Sequence, residues 1–268
     1  MPRRSPTIDP EQRAHQEWLG YLQPVGLVVA PAAMLEAGWV VTRSGSALIE
    51  RQERYREALD ALGDDDVEES ASGFRSLADL LIDHLGWESD QLNSSPEAIA
   101  AHTKELPELG ETLAPTAVVP AASGEGAQLL VMELPLAQAF DEKTTDGQHL
   151  WRASAQERLE RLLRETGVEA GLLFNGVQLR LVVAPKGESS GHLTFRLADL
   201  AEVSGRLMFS GLQLLLGQSP VFLDPDGTRL ADVLKKSRSF QAVVSNALAV
   251  QVLAALWDLL RGFQQADE

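Results

Sequence analysis

Arg158, Arg161 and Arg164 recur at three-residue steps in the stretch SAQERLERLLRETG, residues 154–167. A guanidinium donates in a planar fork that matches the oxygens of a phosphate. Such a row is what a phosphate-contacting helix face would use. The same stretch also carries Glu157, Glu160 and Glu165, which can neutralise the row from within. A further arginine, Arg180, falls on the polar side of the hairpin that follows. Lys186 stands in APKGESSG, residues 184–191, a Gly/Ser loop. Either that loop is a flexible hairpin connection, or its backbone approaches a phosphate closely with Lys186 beside it.

Other chemistry finds less support. The five histidines (His15, His84, His102, His149 and His192) include no His-x-x-x-His pair with a helical glutamate, so they read as structural or exposed. The acidic run GDDDVEESASG, residues 63–73, lacks the glycine and glutamate offsets of an EF-hand and reads as a solvated loop. No G-x-S-x-G elbow, P-loop order or glycine-rich dinucleotide loop is present, and there is no Asn/Asp-Pro-Pro-aromatic run of a base methylase. The chain has no cysteine, which excludes disulfides and thiolate metal sites and points to a reducing cytoplasm.

The elements that would position these residues follow from pattern. Ser154 and Glu157 form a capping box at the start of a helix whose buried stripe is Leu159, Leu162 and Leu163, and Gly167 stops it. Glu157–Arg161 and Glu160–Arg164 are i,i+4 pairs. Asn175-Gly176 then predicts a type I′ hairpin. Val177, Leu179, Leu181 and Val183 alternate with Gln178, Arg180 and Val182, which gives one buried and one partly polar face. A third strand is expected over His192–Arg196. Upstream, strands are expected over Thr116–Val119 and Ala127–Leu134. Helices are expected from Pro10 to Pro24, from Ser44 to Leu62 and from Phe74 to Gly86. After the strands come a short apolar helix over Leu207–Leu216 and a Pro220–Leu230 loop. A long amphipathic helix from Phe240 to Phe263 runs nearly to the last residue, which suggests that the natural protein continues.

The chain's 268 residues carry 39 acidic and 23 basic side chains, a net charge of −16. That balance opposes autonomous binding to a nucleic-acid backbone, though it leaves room for a local basic face. Aromatic residues make up only 6%, which argues against a single-strand stacking platform. No apolar run is long enough to span a membrane, and no apolar stretch follows Arg3 and Arg4 to make a signal peptide.

WRASAQERLERLLRETGVEAGLLFNGVQLRLVVAPKGESSGHLTF, residues 151–195, resembles the N-terminal region of type IIG-like restriction–modification methylases of prokaryotic antiphage defence systems. EWLGYLQPVGLVVAP (17–31) and VLAALWDLLRGFQQAD (252–267) look like the same proteins, so the similarity spans most of the chain. It implies an α/β, PD-(D/E)xK nuclease-like fold: a mixed sheet flanked by helices, with helical N- and C-terminal additions. Active members hold magnesium with an aspartate on one strand and an acid-x-lysine pair on the next. Here the first position falls in LAPTAVV, where Pro115 precedes Thr116. The second falls in LLVMELPL, where Glu133 is followed by Leu134 and Pro135.

With the aspartate and lysine missing, the resemblance implies a degenerate nuclease in which Glu133 is the remaining catalytic position and no metal or other cofactor is held. Activity with magnesium would require Glu133, Glu125 or Asp141 to rebuild the site. The nuclease-like core is expected over residues 116–217. A helical part (1–86) and an irregular linker or insertion (87–115), with a short helix after Ser95, precede it, and a helical extension (218–268) follows. The expected function is a non-catalytic module that contacts double-stranded DNA through Arg158, Arg161, Arg180 and Lys186, or contacts a methylase or other defence subunit. An active magnesium-dependent endonuclease and a purely structural interaction domain are the alternatives.

Overall fold

The computed structural model describes residues 9–61, 73–144 and 151–240, together with 252, 256 and 257. Most of the acidic run 63–73 and most of the terminal amphipathic segment lie outside the described residues. Four helices come first: α1 (Pro10–Leu22), α2 (Pro31–Glu36), α3 (Ser46–Ala61) and α4 (Leu77–Leu85). Each start follows local chemistry. Asp9 caps α1, with Pro10 in its first turn, and Ser76 caps α4, whose end is closed by Gly86 in the left-handed conformation.

Residues 87–115, expected to be irregular, contain α5 (Pro96–His102) and a hairpin of two three-residue strands, β1 (Lys104–Leu106) and β2 (Glu111–Leu113). A helix after Ser95 was legible. The strands were not, because only Leu106 and Leu113 are buried in them and three residues carry no period.

The main sheet has five strands in the order β3 (Ala117–Pro120), β4 (Ala127–Glu133), β5 (Ala170–Phe174), β6 (Gln178–Val183) and β7 (Gly191–Arg196). It is mixed: β4 and β5 run parallel, and every other neighbouring pair is antiparallel. The one crossover contains α6 (Ala155–Thr166), which begins at the expected capping box. Ser154 Oγ accepts from the Glu157 amide at 3.2 Å, and Glu157 Oε2 accepts from the Ser154 amide at 2.8 Å. Gly167 ends the helix at φ 77°.

The hairpin turn differs from expectation by one residue. Phe174 pairs with Leu179, so Gly176 and Val177 occupy its centre, and Gly176 alone has a positive φ, 82°. Asn175 instead stays in the strand register. Its side-chain oxygen accepts from the amides of Val177 (3.1 Å) and Gln178 (2.7 Å). Asparagine can close a turn through its own amide without entering the left-handed region, and here that option wins.

The sheet is buried on both faces. On one, Leu172, Phe174, Leu179, Leu181 and Phe195 pack against Trp18, Tyr55, Phe209 and Leu212 from the helices, including α8 (Arg206–Leu216). A short α7 (Leu197–Ala201) joins β7 to this layer. On the other face, Leu130, Leu173 and Val182 meet Leu159, Leu162 and Leu163 of α6, with Leu106 and Leu113 from the small hairpin. The alternation is as expected from Leu179 to Val183, but Val177 lies in the turn rather than on the buried face, and the "polar" side is also covered. The Pro220–Leu230 stretch, expected to be a loop, opens with a π-turn at Ser219–Leu223, and residues 230–240 are helical.

Two glycines test the packing. A β-carbon on Gly211 of α8 would lie 2.6 Å from Trp18 Cε3, whereas one on Gly20 of α1 would meet nothing within 4 Å. Gly211→Ala should therefore destabilise the fold by roughly 1–3 kcal/mol through overpacking. Gly20→Ala should be neutral or stabilising by up to about 1 kcal/mol from helix propensity. Urea unfolding of both variants reads the contrast.

Candidate functional site

Arg180 leaves the middle of β6 toward α6, where water is scarce: the residue is only 6% exposed. A cation there must be paired and fully hydrogen-bonded. Its Nη1 and Nη2 donate to the two carboxylate oxygens of Asp141 at 2.6 and 2.9 Å, and Nε donates to Thr194 Oγ1 of β7 at 2.8 Å. Nη1 also reaches Gln156 Oε1 of α6 at 3.2 Å, and the guanidinium carbon lies 4.9 Å from the centre of the Phe140 ring. The forked bond to Arg180 is the main cause that holds the Asp141 carboxyl below its ordinary pKa. The cluster lies on the wall of a cleft of about 610 Å³ whose mouth includes Tyr21, Arg196 and Asp199.

The other arginines are also engaged within the fold. Arg158 Nε donates to Glu111 Oε1 of β2 at 2.5 Å, and its Nη1 donates to Thr144 Oγ1 at 2.9 Å and the Ala153 carbonyl at 2.7 Å. Arg161 pairs with Glu165 at 2.9 Å and with Glu108 at 3.3 Å. The Glu160–Arg164 pair is present at 3.5 Å. The expected Glu157–Arg161 pair is not, because Glu157 is occupied by the Ser154 amide and by Lys143 at 3.0 Å. Arg158 and Arg161 thus both face the small β1–β2 hairpin and hold it to α6.

Glu133 sits at the last position of β4. Its Oε2 accepts from the Leu77 amide, the first of α4, at 3.4 Å, and its own amide donates to Thr116 Oγ1 at 3.0 Å. Burial raises its pKa above the usual glutamate range, the Leu77 amide opposes that, and Asp79 adds to it. A magnesium ion at this corner would need several oxygen ligands. The Thr116 hydroxyl instead bonds the Val131 carbonyl at 3.2 Å, and Lys143 is turned to Glu157. This donor set does not fit a catalytic metal. Among the described residues, no group of three or more His, Asp or Glu side chains could hold one.

Lys186 is exposed in the β6–β7 turn. The register places it at the end of the sheet where Ala170 pairs with Val183, opposite the end where Glu133 pairs with Phe174. The sequence candidates therefore do not converge. Arg158 and Arg161 share one face of α6, Arg180 is buried beneath it, and Glu133 and Lys186 lie at opposite ends of the strands. Asp141, Glu108 and Glu111, the carboxylates that decide the state of these arginines, carried no sequence signal as partners.

Two consequences are measurable. Arg180→Ala should cost roughly 2–4 kcal/mol, because Asp141, Gln156 and Thr194 lose a shared buried donor. Asp141→Asn should cost roughly 1–3 kcal/mol: that carboxylate is itself largely exposed, but its loss leaves the buried Arg180 cation without a counter-charge. The Asp141 contribution is present above the ordinary aspartate pKa and is lost as pH falls through its lowered native value. Glu133 has the opposite sign, for its raised native pKa means that ionisation weakens the fold. Glu133→Gln should match or exceed the wild type in urea midpoint at about pH 7, with the gap closing towards about pH 4. A marked loss at neutral pH would mean instead that the charge on Glu133 is needed to cap α4.

In comparison with known proteins, no family model matches the chain, and no match was found among curated proteins or solved structures.

Proposed function

We propose that this chain is a degenerate PD-(D/E)xK-like, non-catalytic module of a prokaryotic restriction–modification or antiphage defence protein, and that it works by contacting a partner subunit such as the methylase. The sequence resemblance supplies the context. The mixed five-stranded sheet flanked by helices accords with it at the level of architecture. The observation that carries the non-catalytic reading is the use made of Glu133. Its carboxylate is engaged by the start of α4, and the acid-x-lysine position reads Glu133-Leu134-Pro135.

A protein contact is favoured over duplex DNA because the arginines best suited to phosphate are spent. Arg158, Arg161 and Arg180 each have a carboxylate partner within the fold. A phosphate would have to displace those partners against a net charge of −16.

Co-expression with the methylase encoded nearest to it should yield a complex that co-elutes on size exclusion, while the chain alone leaves plasmid DNA intact in magnesium or manganese. Separate elution would overturn the partner reading. A salt-sensitive duplex shift that Arg158→Glu abolishes would replace it with DNA contact. Nicking that disappears in Glu133→Ala would restore an active endonuclease.

A further inference from the structure

Arg51 and Arg54 stand three residues apart on α3 and line one wall of a separate cleft of about 380 Å³. The opposite wall is the end of α8 and the π-turn after it, with Gln213, Gln218 and Ser219. His84 of α4 closes the floor. This cleft shares no residue with the Glu133 corner or the Arg180 cluster.

Neither arginine is tied down within the fold, a state that Arg13, Arg56, Arg152 and Arg196 share among the described residues. Arg54 has Glu50 one turn before it and Glu57 one turn after it, yet neither Arg51 nor Arg54 makes a hydrogen bond or ion pair with a described residue. Elsewhere Arg43, Arg158, Arg161, Arg164, Arg229 and Arg238 all find carboxylates. In a chain with 39 acidic side chains, two adjacent unpaired guanidiniums in a concavity are left with their donors free. His84 is likewise uncommitted. Its ring packs edge-on against Tyr55 and Phe74, with centroids 5.3 Å away in each case, and it makes no hydrogen bond. Burial and Arg54 push its pKa down, and Asp83 opposes them.

The acidic groups nearby are mostly occupied or single. Glu88 accepts from Gln218 Nε2 at 3.1 Å, and Asp224 accepts from the Ser219 hydroxyl at 2.6 Å. Among the described residues, Asp83 is the one carboxylate on the cleft wall, against two guanidiniums. Gly217 makes the wall possible. A β-carbon there would lie 2.4 Å from the Gln213 carbonyl oxygen, so the chain can leave α8 and enter the π-turn only without a side chain.

We propose that this cleft is an anion site that takes the phosphate group of a small ligand of mononucleotide size. Two guanidiniums match the charge and fork geometry of a phosphate dianion. The volume is at the lower end of small-molecule pockets, about 300–1,000 Å³. A long polyanion would meet the chain's overall negative field, whereas one phosphate meets mainly the local one. This inference does not depend on the defence-module reading and survives its failure.

The test is an NMR titration of the full chain, followed at the His84 ring protons, with inorganic phosphate, 5′-AMP, adenosine and a short duplex DNA as separate probes. Phosphate and 5′-AMP should give a saturable His84 shift, with adenosine silent, and Arg51→Gln/Arg54→Gln should weaken 5′-AMP by about tenfold or more. Both arginines are exposed and unpaired, so the double variant should keep the wild-type melting temperature. If it does not, the wild-type titration still decides. No saturable shift up to about 20 mM phosphate or 5′-AMP, far above a millimolar dissociation constant, would overturn the proposal. So would equal binding of 5′-AMP by the double variant, or a response to duplex DNA alone.

Discussion

A guanidinium placed in the middle of a buried strand is costly unless its donors are answered, and the fold gives Arg180 four hydrogen bonds and an aromatic face from three segments. Thr194 comes from the neighbouring strand, Gln156 from the crossover helix, and Asp141 and the Phe140 ring from the segment between β4 and α6. One side chain therefore ties β6, β7 and α6 to residues 134–143, which follow β4 and contain no helix or strand. That stretch is also held at its other end, where the Ala137 amide donates to the Asn175 carbonyl at 2.9 Å and Asn175 Nδ2 donates to the Gln138 carbonyl at 2.9 Å. Burying an ion pair is rarely the cheapest way to stabilise a core, but it fixes geometry where packing alone would permit several arrangements.

The same logic explains how so acidic a chain treats its cations. Arg158 and Arg161 pair with Glu111 and Glu108 and so link the small hairpin, with its two buried leucines, to α6. Arg238 reaches from the helical residues after the π-turn to Glu169 and Glu188, on either side of the hairpin base. Cations that face outward in the sequence pattern become internal fasteners once carboxylates from distant segments close over them. Arg51 and Arg54 are not used in this way; they stand three residues apart on the wall of a cleft.

Legibility followed the range of each interaction. The α6 capping box, the Gly167 stop and the inward set Leu179, Leu181 and Val183 depend on neighbours within a few residues, and they were read correctly. The hairpin register slipped by one because Asn175 could close the turn either through its backbone or through its side chain, and composition does not choose between them. The arginine partners were invisible for a different reason: Asp141, Glu111 and Glu108 lie 39, 47 and 53 residues from the arginines they hold. No spacing rule reaches that far, so the sequence could not show that Arg158, Arg161 and Arg180 each have a carboxylate partner from a distant segment. Arg51 and Arg54 had the same i,i+3 spacing as Arg158 and Arg161, and only the fold separates a free pair from a spent one.

The central claim is that Arg180 belongs to the structure and not to a ligand. The most direct measurement is solvent exchange of the Arg180 Nε–H, assigned in the 15N spectrum of the intact chain and followed with and without duplex DNA. The account requires a resolved, slowly exchanging proton with a shift unlike that of solvated arginine and unmoved by DNA. An Nε–H that exchanges as fast as an exposed arginine, or moves on titration with duplex, would contradict it.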